Sequence, residues 1–230
     1  MIDTIISLFT LISLEIVLGI DNIIFISILA DKLPEEQRHK LRKLGIFLAM
    51  FMRLALLAVV AWIMKLEQTL FTVLENEISG KDIILLVGGM FLIYKSTKEI
   101  YHKTEKEGDE IKTIKKPKFK DLLIQVLILD MVFSIDSIIT AVGLVKELWV
   151  MYVAVIVSVG VMFFAAKPIG NFIFKHPSFK ILALSFLIMI GFTLIAEGFD
   201  VAIPKGYIYF SMFFAFLVNV LQMKFAKNSK

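Results

Sequence analysis

Four carboxylic acids stand inside stretches that are otherwise apolar enough to enter lipid. Glu15 and Asp21 fall in "LEIVLGIDNIIF", and Asp130 and Asp136 in "LILDMVFSIDSIITAVG". A carboxylate at the centre of a membrane helix costs about 2.5–3.5 kcal/mol on insertion scales, so four would cost roughly 10 kcal/mol if nothing compensated. A bound cation, protonation or a basic partner would compensate. The one basic residue deep in an apolar stretch is Arg53, in "AMFMRLALL", and one guanidinium does not neutralise four acids. Asn22 and Ser137 stand beside Asp21 and Asp136 and add an amide and a hydroxyl. This hard-oxygen set suits Mg2+, Ca2+ or Mn2+. Cysteine is absent and the three histidines lie away from the acids, which disfavours zinc and copper(II). Methionines such as Met50, Met52, Met64, Met90 and Met131 read as packing or lipid-facing residues, not as a soft Cu(I) site.

The two acid-bearing stretches repeat one another. Glu15-Ile-Val-Leu-Gly-Ile-Asp21-Asn-Ile-Ile aligns without a gap on Asp130-Met-Val-Phe-Ser-Ile-Asp136-Ser-Ile-Ile. On a helix, residues seven apart lie about 20° apart in azimuth and share a face. Glu15, Gly19 and Asn22 therefore form one stripe, and Asp130, Ser134 and Ser137 its counterpart. Asp21 and Asp136 point about 100° away from their neighbours Asn22 and Ser137. For both acids of one stretch to reach a single ion, the helix would have to open near Gly19 and Ser134, and glycine weakens a helix. Closed helices would instead give two neighbouring sites or a path with steps.

A fainter echo links "GMFLIYK", ending at Lys95, with "GFTLIAE", ending at Glu197. Arg53, Lys95 and Glu197 are the candidates for a counter-charge or gate. Arg53 would balance the acids or fill their site when no ion is bound. Lys95 also reads as a cation snorkelling at the cytoplasmic end of its helix, and Glu197 as an entry or exit group or a plain interfacial acid.

The elements that must position these residues follow from composition. Hydrophobic residues make up 58% of the 230, above the 45–50% of soluble domains, and they recur in runs long enough to cross a bilayer. Seven such segments are expected, at 4–30, 42–64, 82–101, 119–143, 148–166, 179–197 and 206–225, the third being the weakest. Lys and Arg alternate rich and poor between them. The first connection holds five, the third, from Lys95 to Lys120, holds nine, and the fourth and sixth hold only Lys146 and Lys205. Under the positive-inside rule this places the N-terminus outside and the C-terminus in the cytoplasm. The first residues lack a basic region and a small-residue cleavage site, so the first segment is expected to be a retained helix.

The chain thus reads as an all-α, polytopic membrane protein. It is expected to hold a first three-helix unit (1–101), a polar cytoplasmic linker (102–118), a second three-helix unit (119–198), and a seventh helix with a tail (199–230). Because three is odd, the two units enter the membrane from opposite sides, an inverted repeat of the kind that builds transporters with a midplane site.

With "LEIVLGIDNIIFISILA", "LDMVFSIDSIITAVG", "GGMFLIYKSTKEIY" and "GFTLIAEGF" in view, the sequence resembles the TerC family of integral membrane proteins. The resemblance implies a seven-helix protein of the bacterial cytoplasmic membrane. Several members are described as manganese exporters, and some are linked to supplying metal to secreted enzymes. The motif acids carry over onto Glu15, Asp21, Asp130 and Asp136, with Asn22 and Ser137 beside them. The expectation is a divalent-cation exporter with Mn2+ as cargo, working by alternating access and open to proton coupling. It has no resident cofactor and no enzymatic activity. No nucleotide-binding motif is present, which argues against ATP-driven pumping in cis. The expected partners are the metal ion and the lipid bilayer, with no nucleic acid, and a homo-oligomer is left open. The competing readings are a membrane assembly or interaction factor, a proton relay without metal, and a polar network that only holds helices together.

Overall fold

The structure is a computed structural model that describes residues 2–73, 76–104, 117–145 and 147–228. Most of the expected linker, and Lys146, lie outside the described residues. The helices are α1 (Ile2–Ala30), α2 (Glu35–Ala58), the short α3 (Val60–Ile63), α4 (Gly80–Thr104), α5 (Phe119–Leu144), α6 (Leu148–Lys175), α7 (Pro177–Glu197) and α8 (Lys205–Asn228). A 3-10 turn (Met64–Glu67) and a two-stranded hairpin, β1 (Thr69–Val73) with β2 (Asn76–Ser79), join α3 to α4. The strands pair antiparallel, with Phe71 opposite Ile78 and a bulge between Thr69 and Phe71.

Local chemistry sets several of the ends. Pro34 and Pro177 sit at the starts of α2 and α7, where a missing N–H costs nothing. Ser79 and Asp82 cap α4 reciprocally: the Ser79 N–H donates to Asp82 Oδ2 at 2.8 Å and the Asp82 N–H to Ser79 Oγ at 3.3 Å, a capping box with aspartate in the acidic position.

Among the described residues, five helices (α1, α5, α6, α7 and α8) are long and apolar enough to cross a membrane. A sixth candidate is α2 joined to its continuation through a 74° bend. The second expected segment, 42–64, is therefore bent within its length. Helix α4, the segment read as weakest, does not qualify by composition. Length and composition thus support five or six crossings, against the seven expected. The fifth segment also overruns its expected end at 166: α6 continues through Pro168 to Lys175. Membrane helices tolerate proline because neighbours re-satisfy the freed backbone groups.

The most extensive helix pairs are α1 with α6 and α4 with α7, and α5 packs on α2. Lipid tails are as apolar as side chains, so helices in a bilayer associate through close packing and polar contacts. Glycine supplies the closest approach. A Cβ at Gly89 would lie 2.6 Å from the carbonyl oxygen of Gly191, and one at Gly191 would lie 2.9 Å from that of Gly89. The backbones of α4 and α7 touch there, at the two aligned glycines of the fainter echo. Helix α8 is mostly exposed and packs chiefly on α7.

Ion pairs mark one end of the bundle. Lys32, just past α1, pairs with Glu99 near the end of α4, and Asp31 pairs with Lys180 in the first turn of α7. At the other end, a Cβ on Gly198 would lie 3.0 Å from the carbonyl of Asp82. Helices α4 and α7 therefore run antiparallel, side by side, across the thickness of the bundle.

Candidate functional site

Helices α1 and α5 run unbroken past Gly19 and Ser134, so the expected helix breaks are absent. The reason lies in α6. A Cβ at Gly19 would come within 2.1 Å of Met162 Sδ, so this glycine lets α6 lie close and its surroundings are apolar. An opened helix needs polar groups or water to satisfy its backbone, and Met162 offers neither.

With both helices closed, the 100° step between adjacent residues sorts the four acids into two clusters. The first forms around Arg53 of α2, which is 2% exposed. Its Nη1 pairs with Glu15 Oε2, its Nη2 donates to Asp130 Oδ1 at 3.3 Å, and its Nε donates to Ser134 Oγ at 3.1 Å. Asn22 Nδ2 donates to the same Asp130 oxygen at 3.0 Å, and Ser134 Oγ donates to Asp130 Oδ2 at 3.2 Å. The planar guanidinium spends all three of its nitrogens on α1 and α5, a geometry that Lys does not offer. Two carboxylates against one guanidinium leave this buried cluster with one negative charge in excess if both acids are ionised. Ser137 turns back on its own helix and donates to the Ser134 carbonyl at 3.2 Å.

The second cluster gathers Asp21, Asp136 and Glu197 around Lys205, the first residue of α8. Lys205 Nζ pairs with Asp136 Oδ2 and lies 3.8 Å from Glu197 Oε1. The other Glu197 oxygen, Oε2, is buried without a hydrogen-bond partner among the described residues. Asp21 is buried and makes no hydrogen bond or ion pair among the described residues. These groups line a cavity of about 40 Å3 whose wall also includes Ser137, Tyr209 and Arg53. That is room for a water or a dehydrated ion, since about 10–15 Å3 of such space holds one water. Arg53 thus stands between the clusters. Asp21 and Tyr209 also border a larger apolar cavity of about 720 Å3 among α1, α6, α7 and α8.

The four motif acids therefore do not converge on one point, and among the described residues no group of three or more acidic or histidine side chains is already arranged as a metal site. The one-ion arrangement of all four acids gives way to two adjoining clusters. Of the three candidate counter-charges, Arg53 and Glu197 join the clusters. Lys95 does not: it stays near the far end of α4, with Nζ 5.5 Å from the Phe91 ring centroid. Two residues went unnoticed in the sequence. Lys205 read as a loop charge, and Tyr209 lies one helical turn after it. The available signal was a lone lysine on the lysine-poor side, opening an apolar helix shortly after Glu197.

The chain matches the integral membrane protein TerC family over residues 2–230. This chain belongs to the TerC family. It is 55% identical over 214 residues to the UPF0053 inner membrane protein YgdQ of Escherichia coli K12, covering 93% of this chain and 90% of that one. It is 54% identical over 226 residues to a UPF0053 protein of Haemophilus influenzae, covering 98% and 95%. A longer relative, the UPF0053 inner membrane protein YoaE of Escherichia coli K12, is 47% identical over 222 residues, which are 96% of this chain and 43% of YoaE. No solved structure matches. This TerC chain is accordingly an integral membrane protein.

Proposed function

We propose that this TerC protein exports a divalent metal cation, with Mn2+ as cargo, across a bacterial inner membrane. The observation that carries the reading is the second cluster. Three carboxylates from α1, α5 and α7 line one buried cavity, and one Glu197 oxygen has no partner there. Buried acids without a matching number of cations mark ion pathways in membrane proteins, and oxygen ligands favour a hard cation. Lys205 pairs with Asp136. An arriving cation would take the place of the ammonium among Asp21, Asp136 and Glu197, while Arg53 stays paired with Glu15 and Asp130 behind it. Protonation of the acids on the outer side would release the cargo, so proton exchange is part of the proposal.

The packing supports an inverted repeat. Helix α1 lies on α6 and its counterpart α5 lies on α2, while the counterparts α4 and α7 cross at Gly89 and Gly191. A two-fold relation between the halves would produce this pairing. Seven crossings, with α4 carried across the bilayer against α7, belong to the same reading. So do an N-terminus outside and a C-terminus in the cytoplasm, which the lysine distribution favours.

The test is flux in proteoliposomes with Mn2+, Ca2+, Mg2+ and Zn2+, with and without a pH gradient. Saturable Mn2+ flux that Asp21→Asn with Asp136→Asn abolishes is the expected result. Flux of none of these ions, with the protein folded, would reject transport and favour an assembly or interaction role.

A further inference from the structure

At the lysine-rich end, a second cavity carries the opposite charge. It lies between α2 and α6 and measures about 170 Å3. His39, Arg42 and Lys43 of α2 line one side, and Lys167 of α6 lines the other, with Phe163 and Phe164. Among the described residues, no carboxylate lines it. Three permanent cations around one small space repel one another, so the cavity as built favours an anion.

Arg42 is the informative member. Unlike a snorkelling cation, it is only 7% exposed. Its Nη1 donates to Asn171 Oδ1 at 3.3 Å, but its Nε is buried without a hydrogen-bond partner among the described residues, as is Ser27 Oγ. Both side chains press on Gly170, where a Cβ would lie 2.5 Å from Arg42 Nη1 and 2.9 Å from Ser27 Oγ. The nearby acid Asp31 acts on Arg42 only through space, and its ion pairs are with Lys180 and with Arg38 at 3.8 Å. A buried guanidinium with spare donor capacity, flanked by two exposed lysines, has the chemistry that recognises phosphate.

The cavity's surroundings select the source of that phosphate. Phe164 is 79% exposed and Phe163 is 42% exposed, on a helix apolar enough to cross the bilayer. A ligand seated on Arg42 and running out past these rings would be charged at one end and apolar at the other. We infer that the groove between α2 and α6 binds the phosphate of an anionic membrane phospholipid, with Arg42 at its base and Lys43 and Lys167 at its mouth. Basic pockets between membrane helices on the cytoplasmic side are suited to such headgroups. This site is separate from the acidic clusters and does not depend on the transport reading.

The experiment uses the full chain purified in detergent and titrated with phosphatidylglycerol, phosphatidylcholine or inorganic phosphate, with bound lipid counted by native mass spectrometry. Phosphatidylglycerol is expected to bind in preference to phosphatidylcholine. Lys43→Gln with Lys167→Gln should weaken it about thirtyfold, at ~1 kcal/mol per basic residue near an anionic headgroup. Both lysines are exposed, so this variant is expected to fold with an unchanged melting temperature. Lys120→Gln with Lys175→Gln removes the same charge from exposed positions outside the cavity and should leave binding intact. Equal loss in both double variants would reduce the effect to general surface charge and overturn the site. Inorganic phosphate binding as tightly as phosphatidylglycerol would overturn the lipid assignment.

Discussion

The cluster around Arg53 and the cluster around Lys205 are made from the same two motifs, yet they are opposite in character. Each motif delivers its first acid, Glu15 or Asp130, to Arg53, and its second acid, Asp21 or Asp136, to the cavity that Lys205 closes. Around Arg53 the polar network is dense: guanidinium, two carboxylates, an amide and a hydroxyl are joined by direct bonds. Around Lys205 it is sparse: among the described residues it holds a 33%-exposed lysine, an acid oxygen without a hydrogen-bond partner and an acid with no hydrogen bond or ion pair. A dense buried network holds helices in one arrangement. A sparse one leaves ligand capacity unused. Under the proposed transport function, the first cluster is architectural and the second meets the cargo.

Removing Arg53 should break this comparison most severely. Arg53→Met leaves Glu15 and Asp130 buried without a cation, and breaking a buried pair costs about 3–5 kcal/mol. Thermal unfolding in detergent should show a large loss. Adding Glu15→Gln and Asp130→Asn should recover much of it, because the stranded charges are then gone. A single Arg53→Met variant that melts like the parent would contradict a structural role.

A smaller effect is expected from the asymmetry between the motifs. Position 19 faces Met162, whereas its aligned position 134 faces Arg53. Gly19→Ala forces a Cβ against Met162 Sδ, and overpacking of this kind costs about 1–3 kcal/mol. The end of a methionine is flexible, so Met162→Ala should relieve most of that loss in a double-mutant cycle on melting temperature.

Asp136→Asn should lower Mn2+ flux about tenfold or more, since a lost charged ligand is worth roughly 1.5–3 kcal/mol. It should move stability far less than Arg53→Met does. A flux unchanged in Asp136→Asn, with Glu15→Gln inactive but folded, would reverse the assignment of the two clusters.

Lys205→Met should cost less stability than Arg53→Met, because Lys205 is 33% exposed and water reaches the acid it leaves behind more readily. If the ammonium competes with cargo for Asp136, the same variant should bind Mn2+ several-fold more tightly by calorimetry. Weaker binding would instead make Lys205 a supporting residue.

Much of this was legible along the chain. The long helices, the gapless repeat and the division of each motif into two faces all follow from hydrophobic runs and from the 100° helical step. The membrane class follows from composition. Other features had no local signal. Gly19 reads equally as a break or as a contact, and only the presence of Met162 opposite it decides between them. Ser134 reads as its aligned counterpart, yet it serves Arg53. Lys95 and Lys205 both look like lysines at helix ends. One remains on its own helix against Phe91, while the other reaches Asp136, 69 residues away in sequence.

The sequence by itself determined that these helices form, which faces carry acids, and that two motifs match, because helical periodicity and hydropathy act within a few residues of each position. Only the tertiary structure decided that Arg53 takes one acid from each motif and Lys205 stands over the other pair. Which cation meets which carboxylate depends on how α2 and α8 dock, and docking is settled by packing between residues far apart in the chain.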